Sequence, residues 1–171
     1  MADEGADNVR GDNSDKTDSA RERDRSAGGD PGAENGEDTL AAKGEACRLF
    51  KSHHPDYEDG GQLRDFVSVD DCADVICWLL ENPSVSGLFN LGTGKARSFA
   101  DLARAVYAAM DTDFKVEYVP TPEDIRDKYQ YFTEASMTWL RDAGYTGQFT
   151  PLEDGVGRYV RDFLATDDPY R

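Results

Sequence analysis

The sequence is short of metal and disulfide chemistry. Among 171 residues there are three cysteines (Cys47, Cys72, Cys77) and two histidines, the adjacent His53 and His54. An odd cysteine count with no C-x-x-C spacing argues against a closed disulfide framework, so all three are expected to be reduced, buried thiols acting as small hydrophobes. Adjacent histidines do not converge by themselves, and with no third histidine they predict a solvated or ligand-touching loop rather than a metal site. Long apolar stretches are also missing. No run of about 18 apolar residues occurs, and the acidic, glycine-rich start has no apolar core of a leader peptide, so a soluble, cytoplasmic protein is expected. Basic charge is scarce as well. Nineteen Lys and Arg against 35 Asp and Glu leave a net charge of −16, which disfavours nucleic acid and anionic membranes as partners. A phosphate-bearing ligand would have to be held by local cations.

Residues Met1 to Asp38 contain no aromatic residue and, after the initiator, Val9 as the one large aliphatic side chain. Such a segment buries too little apolar surface to offset chain entropy. The sequence therefore predicts a disordered acidic tract over residues 1–39 and one foldable α/β part over 40–171.

Within that part, "CRLF" reads as a short strand and "KSHHPDYEDGGQ" as an irregular loop. "LRDFVSV" alternates as a strand does. The helix after it is expected to be capped by Asp70 or Asp71, to bury Cys72, Val75, Ile76, Leu79 and Leu80, and to stop at Asn82-Pro83. "GLFNLG" predicts another strand. The helix "SFADLARAVYAAM" has Ser98 as cap and Asp101 completing a capping box, with Phe99, Leu102, Ala103, Val106 and Met110 as its buried stripe. "FKVEYV" predicts a strand, "PTPEDIRDKYQYF" a proline-bearing connection, and "TEASMTWLRDAGY" a short helix capped by Thr133 and stopped near Gly144. The last helix has Thr150 as expected cap, Pro151 in the first turn and Glu153 closing the box, over an apolar face of Leu152, Val156, Tyr159, Val160 and Phe163. Strands alternating with helices indicate an α/β fold, with too few strands for a self-contained doubly wound sheet.

Few motifs carry chemistry. "NLGTGKARS" sets glycines before a helix, where backbone N–H groups can cradle a phosphate. It lacks the third glycine of G-x-G-x-x-G, at Arg97, and fails the P-loop pattern at Phe89 and Ala96. A tight turn is therefore expected at Gly92 and Gly94. No G-x-S-x-G elbow or positioned cysteine nucleophile is visible, and Asp70-Asp71 reads as a cap. Arg64 stands out, because a strand fixes its position and a guanidinium can fork two oxygens of a diphosphate. Its alternative reading is a structural ion pair with Asp65, Asp70 or Asp71.

Taken together, "RDFVSVDDCADV", "GLFNLGTGKARSF" and "KYQYFTEASMTWLRDAGY" resemble the C-terminal part of the extended short-chain dehydrogenase/reductase family, over Cys47 to Leu164. "LFKSHHPDYEDGGQLRDF" and "KYQYFT" carry the more specific likeness, to its nucleotide-sugar epimerases. The resemblance implies epimerisation of an ADP-heptose for lipopolysaccharide core synthesis. It also implies an ADP-sugar substrate, with Phe50, Lys51, Ser52 and His53 lining the site, Arg64 on the diphosphate and Tyr129 closing over the ligand. It implies NADP on an N-terminal glycine-rich loop and a catalytic Tyr-x-x-x-Lys pair. This sequence departs from that pattern: no glycine fingerprint follows a strand, and none of the eight tyrosines has lysine four residues later. Ser68, where an aromatic is common in the family, is a smaller departure.

No catalytic, cofactor-binding or metal-binding residue is assigned from the sequence, and the chain alone is expected to be inactive. Exposed apolar surface is expected where strands would otherwise pack on a cofactor domain. The protein-level partners left open are a homo-oligomer or a separate catalytic half. The other readings left open are a non-catalytic nucleotide-sugar binding module and an interaction protein whose acidic arm is the functional part.

Overall fold

The computed structural model describes residues 43–166. The tract 1–39, expected from the sequence to be disordered, lies outside the described residues.

Strand β1, Cys47–Phe50, pairs in parallel with β4, Val116–Val119, from Cys47 opposite Val116 to Phe50 opposite Val119. A parallel pair needs a crossover element between its strands. The chain between them contains two short antiparallel strands, β2 (Leu63–Arg64) and β3 (Arg97–Ser98), and two helices, α1 (Val69–Glu81) and α2 (Phe99–Ala109). After β4 come α3 (Glu123–Arg126), α4 (Thr138–Asp142) and α5 (Leu152–Tyr159), which continues into a π-helical turn over Val160–Leu164.

The main core lies between the parallel strands, α2 and the last helix. Cys47, Leu49, Ala103, Tyr107 and Val160 are almost fully buried in it. Tyr107 is the side chain that the sequence pattern missed. Its hydroxyl donates to the Glu45 carbonyl oxygen and accepts the Cys47 N–H at 3.0 Å, so a phenol can close the core without an unsatisfied polar atom. Helix α2 starts as expected: Ser98 accepts the Asp101 N–H and the Asp101 carboxylate accepts the Ser98 N–H, a complete capping box. Its most buried residues are Ala100, Ala103, Ala105, Val106 and Tyr107, while Phe99, Leu102 and Met110 are half-buried. Small residues on this face let α2 approach α5 and β1 closely.

Several expected elements take a different form. The strand over 63–69 shrinks to Leu63–Arg64. From Asp65 onward a side chain, rather than a backbone ladder, makes the long-range bonds. The "GLFNLG" segment is not a strand, because no neighbouring strand among the described residues pairs with it. Helix α1 is capped by Ser68, whose hydroxyl accepts the Asp70 N–H, and not by Asp70 or Asp71. Of its expected apolar face Val75 is buried, whereas Ile76 and Leu80 are exposed. Thr133 does not cap α4. Its N–H bonds the Leu63 carbonyl, and the helix begins after Met137. Thr150 does not cap α5 either, because its N–H and hydroxyl both donate to the buried Asp71 carboxylate, at 2.8 and 2.7 Å. Glu153, expected to close that box, instead pairs with Arg97.

Candidate functional site

Phe50 ends β1 with its ring buried, and the chain then turns out into the loop Lys51 to Asp59. Gly60 brings it back. Its N–H donates to the Phe50 carbonyl at 2.9 Å, its φ is +68°, and a Cβ there would meet Leu49 and Tyr118 at 3.0 Å. The loop holds its shape with its own side chains. Ser52 N–H donates to Asp59 at 2.7 Å, Ser52 hydroxyl to the His54 carbonyl at 3.0 Å, and Asp56 N–H to His54 Nδ1 at 3.2 Å. Lys51 is tethered by its backbone, donating to Val119 and accepting from the Thr121 hydroxyl, while its side chain is exposed.

Strand β2 delivers Arg64 to the same face. Its guanidinium lies 5.7 Å from the ring centre of Phe99 and 5.5 Å from that of Tyr129, a double cation–π seat. One nitrogen donates to the Leu63 carbonyl at 2.8 Å. The ion pairs considered from the sequence do not form, because every candidate acid is engaged elsewhere. Asp65 is held by the glycine turn, Asp70 pairs with Arg158 at 3.0 Å, and Asp71 holds Thr150. Among the described residues the remaining guanidinium donors have no protein acceptor. Tyr129 also meets Phe50 edge-on at 5.9 Å, so Phe50, Arg64 and Tyr129 form one wall. Ser52 and His53 are in the adjoining loop, and Lys51 bears the wall's exposed cation.

The glycine turn at residues 92–94 is an anion cradle that the protein fills itself. The Asp65 carboxylate accepts from Thr93 N–H at 2.8 Å, Gly94 N–H at 2.9 Å, Ala135 N–H at 3.0 Å and the Thr93 hydroxyl. Burial alone would push this carboxyl up. The bonds from Thr93, Ala135 and Gly94 outweigh burial and leave its pKa below the ordinary 3.8. A side chain at Gly92 would drive a Cβ into the Asp65 carboxylate and to 2.6 Å from Ala135, which explains the glycine. The expected tight turn is therefore correct, and the sequence missed its bound acid. Asp65 directly follows the candidate arginine, and that adjacency was the available signal.

The His54 ring meets Tyr57 edge-on and Tyr131 at a tilt, each at 5.2 Å, and among the described residues no cluster of three His, Cys, Asp or Glu could hold an ion. Also among the described residues, no helix is long and apolar enough to cross a membrane.

Residues 38–92 match the model of the NAD dependent epimerase/dehydratase family. Over 123 residues the chain is 59% identical to the ADP-L-glycero-D-manno-heptose-6-epimerase of Nitratidesulfovibrio vulgaris (strain DP4), covering 72% of this chain and 38% of that protein. The enzyme of the same name from Fusobacterium nucleatum is 46% identical over 129 residues, covering 72% of this chain and 39% of its own length. The chain thus spans about two-fifths of the length of the curated relatives it matches. Among solved structures, UDP-glucose 4-epimerase from Thermus thermophilus, a complex with NAD, superposes with a TM-score of 0.58 at 26% identity, over 77% of this chain and 41% of that one. UDP-N-acetylglucosamine 4-epimerase from Methanobrevibacter ruminantium M1 shares the fold with a TM-score of 0.60 at 19% identity, over 75% and 38% of the two chains. Over the span they share, the chain is thus similar in sequence to ADP-L-glycero-D-manno-heptose-6-epimerases and in its α/β fold to nucleotide-sugar epimerases, and residues 38–92 match the NAD dependent epimerase/dehydratase family.

Proposed function

We propose that residues 47–164 form the nucleotide-sugar-binding part of an ADP-glyceromanno-heptose 6-epimerase, an isomerase of lipopolysaccharide core synthesis in the cytoplasm. The observation that carries this reading is Arg64. It is a half-buried arginine whose guanidinium sits against two aromatic rings; Asp65, Asp70 and Asp71 are engaged elsewhere and, among the described residues, its one hydrogen-bond acceptor is the Leu63 carbonyl. A planar fork so oriented grips two oxygens of a diphosphate and loses little freedom in doing so. Tyr129, beside it, closes over the ligand, Lys51, Ser52 and His53 form the edge that meets the nucleotide and sugar, and Phe50, with its ring buried, backs Tyr129. An aromatic wall with a few convergent polar groups suits a ligand of this kind. The name shared by the curated relatives supports the ADP-heptose over other nucleotide sugars.

The epimerisation implied by this family is a transient oxidation and re-reduction of the sugar, with NADP as the cofactor of the whole enzyme. The glycine turn of the described residues does not fit a dinucleotide pyrophosphate, because the N–H groups that would cradle it already hold Asp65. The role assigned to this chain is therefore binding and orienting the sugar nucleotide, with catalysis dependent on residues outside it. The purified chain with NADP leaves ADP-heptose unchanged in this reading, and formation of the epimer would overturn that part of it. The binding part is tested by amide NMR with ADP-glucose as probe. Shifts clustered at Phe50, Arg64 and Tyr129 support it, and a dispersed spectrum that does not respond sinks it.

A further inference from the structure

Tyr131 joins parts of the wall that are distant in sequence, and neither the sequence pattern nor the expected ligand roles assign it one. Its phenol oxygen accepts the His53 N–H at 2.8 Å, across 78 residues of sequence. Its ring lies 5.2 Å from His54 at 43°, 5.2 Å from Tyr57 at 37°, and 5.5 Å from Tyr129 at 77°. Its backbone is fixed to β2, with the Leu63 N–H donating to the Tyr131 carbonyl at 2.8 Å and the Thr133 N–H to the Leu63 carbonyl at 3.1 Å. One residue thus contacts the loop, the closing tyrosine and the strand that carries Arg64.

The bonds inside the loop and those at its tip do different work. Ser52, His54, Asp56 and Asp59 bond one another, so they set the loop's local shape. They do not set where that shape sits relative to Arg64. At the tip, the bond to Tyr131 and the stack of His54 and Tyr57 on the Tyr131 ring supply that placement.

We propose that Tyr131 is a positioning residue of the nucleotide-sugar site, holding the Ser52–His53 edge at a fixed distance from Arg64 and Tyr129. This rests on the binding function proposed above. A loop whose shape is self-made, whose base is tethered at Lys51 and Gly60 and whose outer part is held by the Tyr131 phenol and ring stays folded without the phenol's bond but samples more positions, and the ligand then bears the cost of ordering it. His53 is an exposed residue, so water can take over its amide's bond when the phenol oxygen is removed. Affinity should fall while stability does not.

The test uses the full chain and its Tyr131→Phe and Arg64→Ala variants, with ADP-glucose titrated by NMR and thermal midpoints measured in parallel. Tyr131→Phe keeps the ring stack and removes the acceptor. The expected result is an affinity about fivefold weaker, the size of one lost neutral hydrogen bond, with an unchanged midpoint and faster hydrogen exchange at His53. If wild type binds, Arg64→Ala abolishes binding and Tyr131→Phe binds like wild type, the positioning role falls and the site reading stands. If Tyr131→Phe weakens binding only in proportion to a lowered midpoint, its role is structural and the proposal also falls. A dispersed wild-type spectrum that ignores millimolar ADP-glucose overturns both.

Discussion

Two apolar clusters in this chain are built from the same kinds of residue and end differently. Around β1, α2 and the π-helical turn, each apolar side faces another, and Cys47, Leu49, Ala103, Tyr107 and Val160 have almost no exposure. Around α1 and α4, Val75, Leu140 and Tyr145 are buried under Trp78, Leu79 and Phe149. The opposite side of α1 is also apolar, with Val69, Ala73, Ile76, Cys77 and Leu80 recurring at helical spacing, and there they are exposed, Val69 and Leu80 by 77% each. A helix apolar on two sides suits a place between two layers. Spacing reports that a face is apolar; whether it is covered depends on which other elements are present. The expectation of exposed apolar surface was correct in that sense, although it fell on a helix as much as on the two strand-like segments.

Substitutions in the two clusters should separate them. Tyr107→Ala in the closed core removes a fully buried ring and two hydrogen bonds, and should cost about 4 kcal/mol in urea denaturation. A cost under about 1 kcal/mol would mean that this core is as open as the other. Next is the carboxylate that joins β2 to the glycine turn. Asp65→Ala leaves three backbone N–H groups without their acceptor and should cost about 3 kcal/mol. Because the Asp65 pKa is lowered in the folded chain, its contribution is present above the ordinary 3.8 and is lost as pH falls through the lower folded value. Acid unfolding below pH 3.8 should therefore be less steep in Asp65→Asn than in wild type, and identical curves would remove Asp65 from the acid response.

A smaller effect is expected where the clusters meet, at the Asp71–Thr150 clasp. Thr150→Val keeps the shape and the N–H bond but loses the hydroxyl bond, at about 1 kcal/mol by the same denaturation. The smallest change in stability belongs to the open face. Ile76→Glu with Leu80→Glu should alter the unfolding free energy by no more than about 0.5 kcal/mol, while markedly reducing the fluorescence of a hydrophobic dye. A large loss of stability with no change in dye binding would show that α1 is covered in solution.

Legibility from sequence followed the range of the interaction. The capping box at Ser98 and Asp101 is local and was read correctly, as were β1, β4 and the stop at Asn82. Caps went wrong where a distant group competed for the same atoms. Thr150 looks like a cap until Asp71, remote in sequence, takes both its donors, and Glu153 looks like its partner until Arg97 takes the carboxylate. Ser68, an apparent departure from the family pattern, is the cap of α1. At the candidate site the family resemblance pointed to Phe50, Arg64 and Tyr129, which lie side by side in the fold. The sequence missed Asp65 and Tyr131, whose importance lies in what they hold across the fold and not in any motif.

The parallel pairing of Cys47 with Val116 has a consequence for time as well as shape. The two strands cannot meet until the loop containing both short strands, α1 and α2 has closed, and that entropy is spent before the pairing gives anything back. Helix α2, with its cap and packing face encoded locally, is suited to form early and β1–β4 late. In stopped-flow refolding, helical signal should then precede burial of Tyr107, and simultaneous phases would show that the strands and helix assemble in a single step.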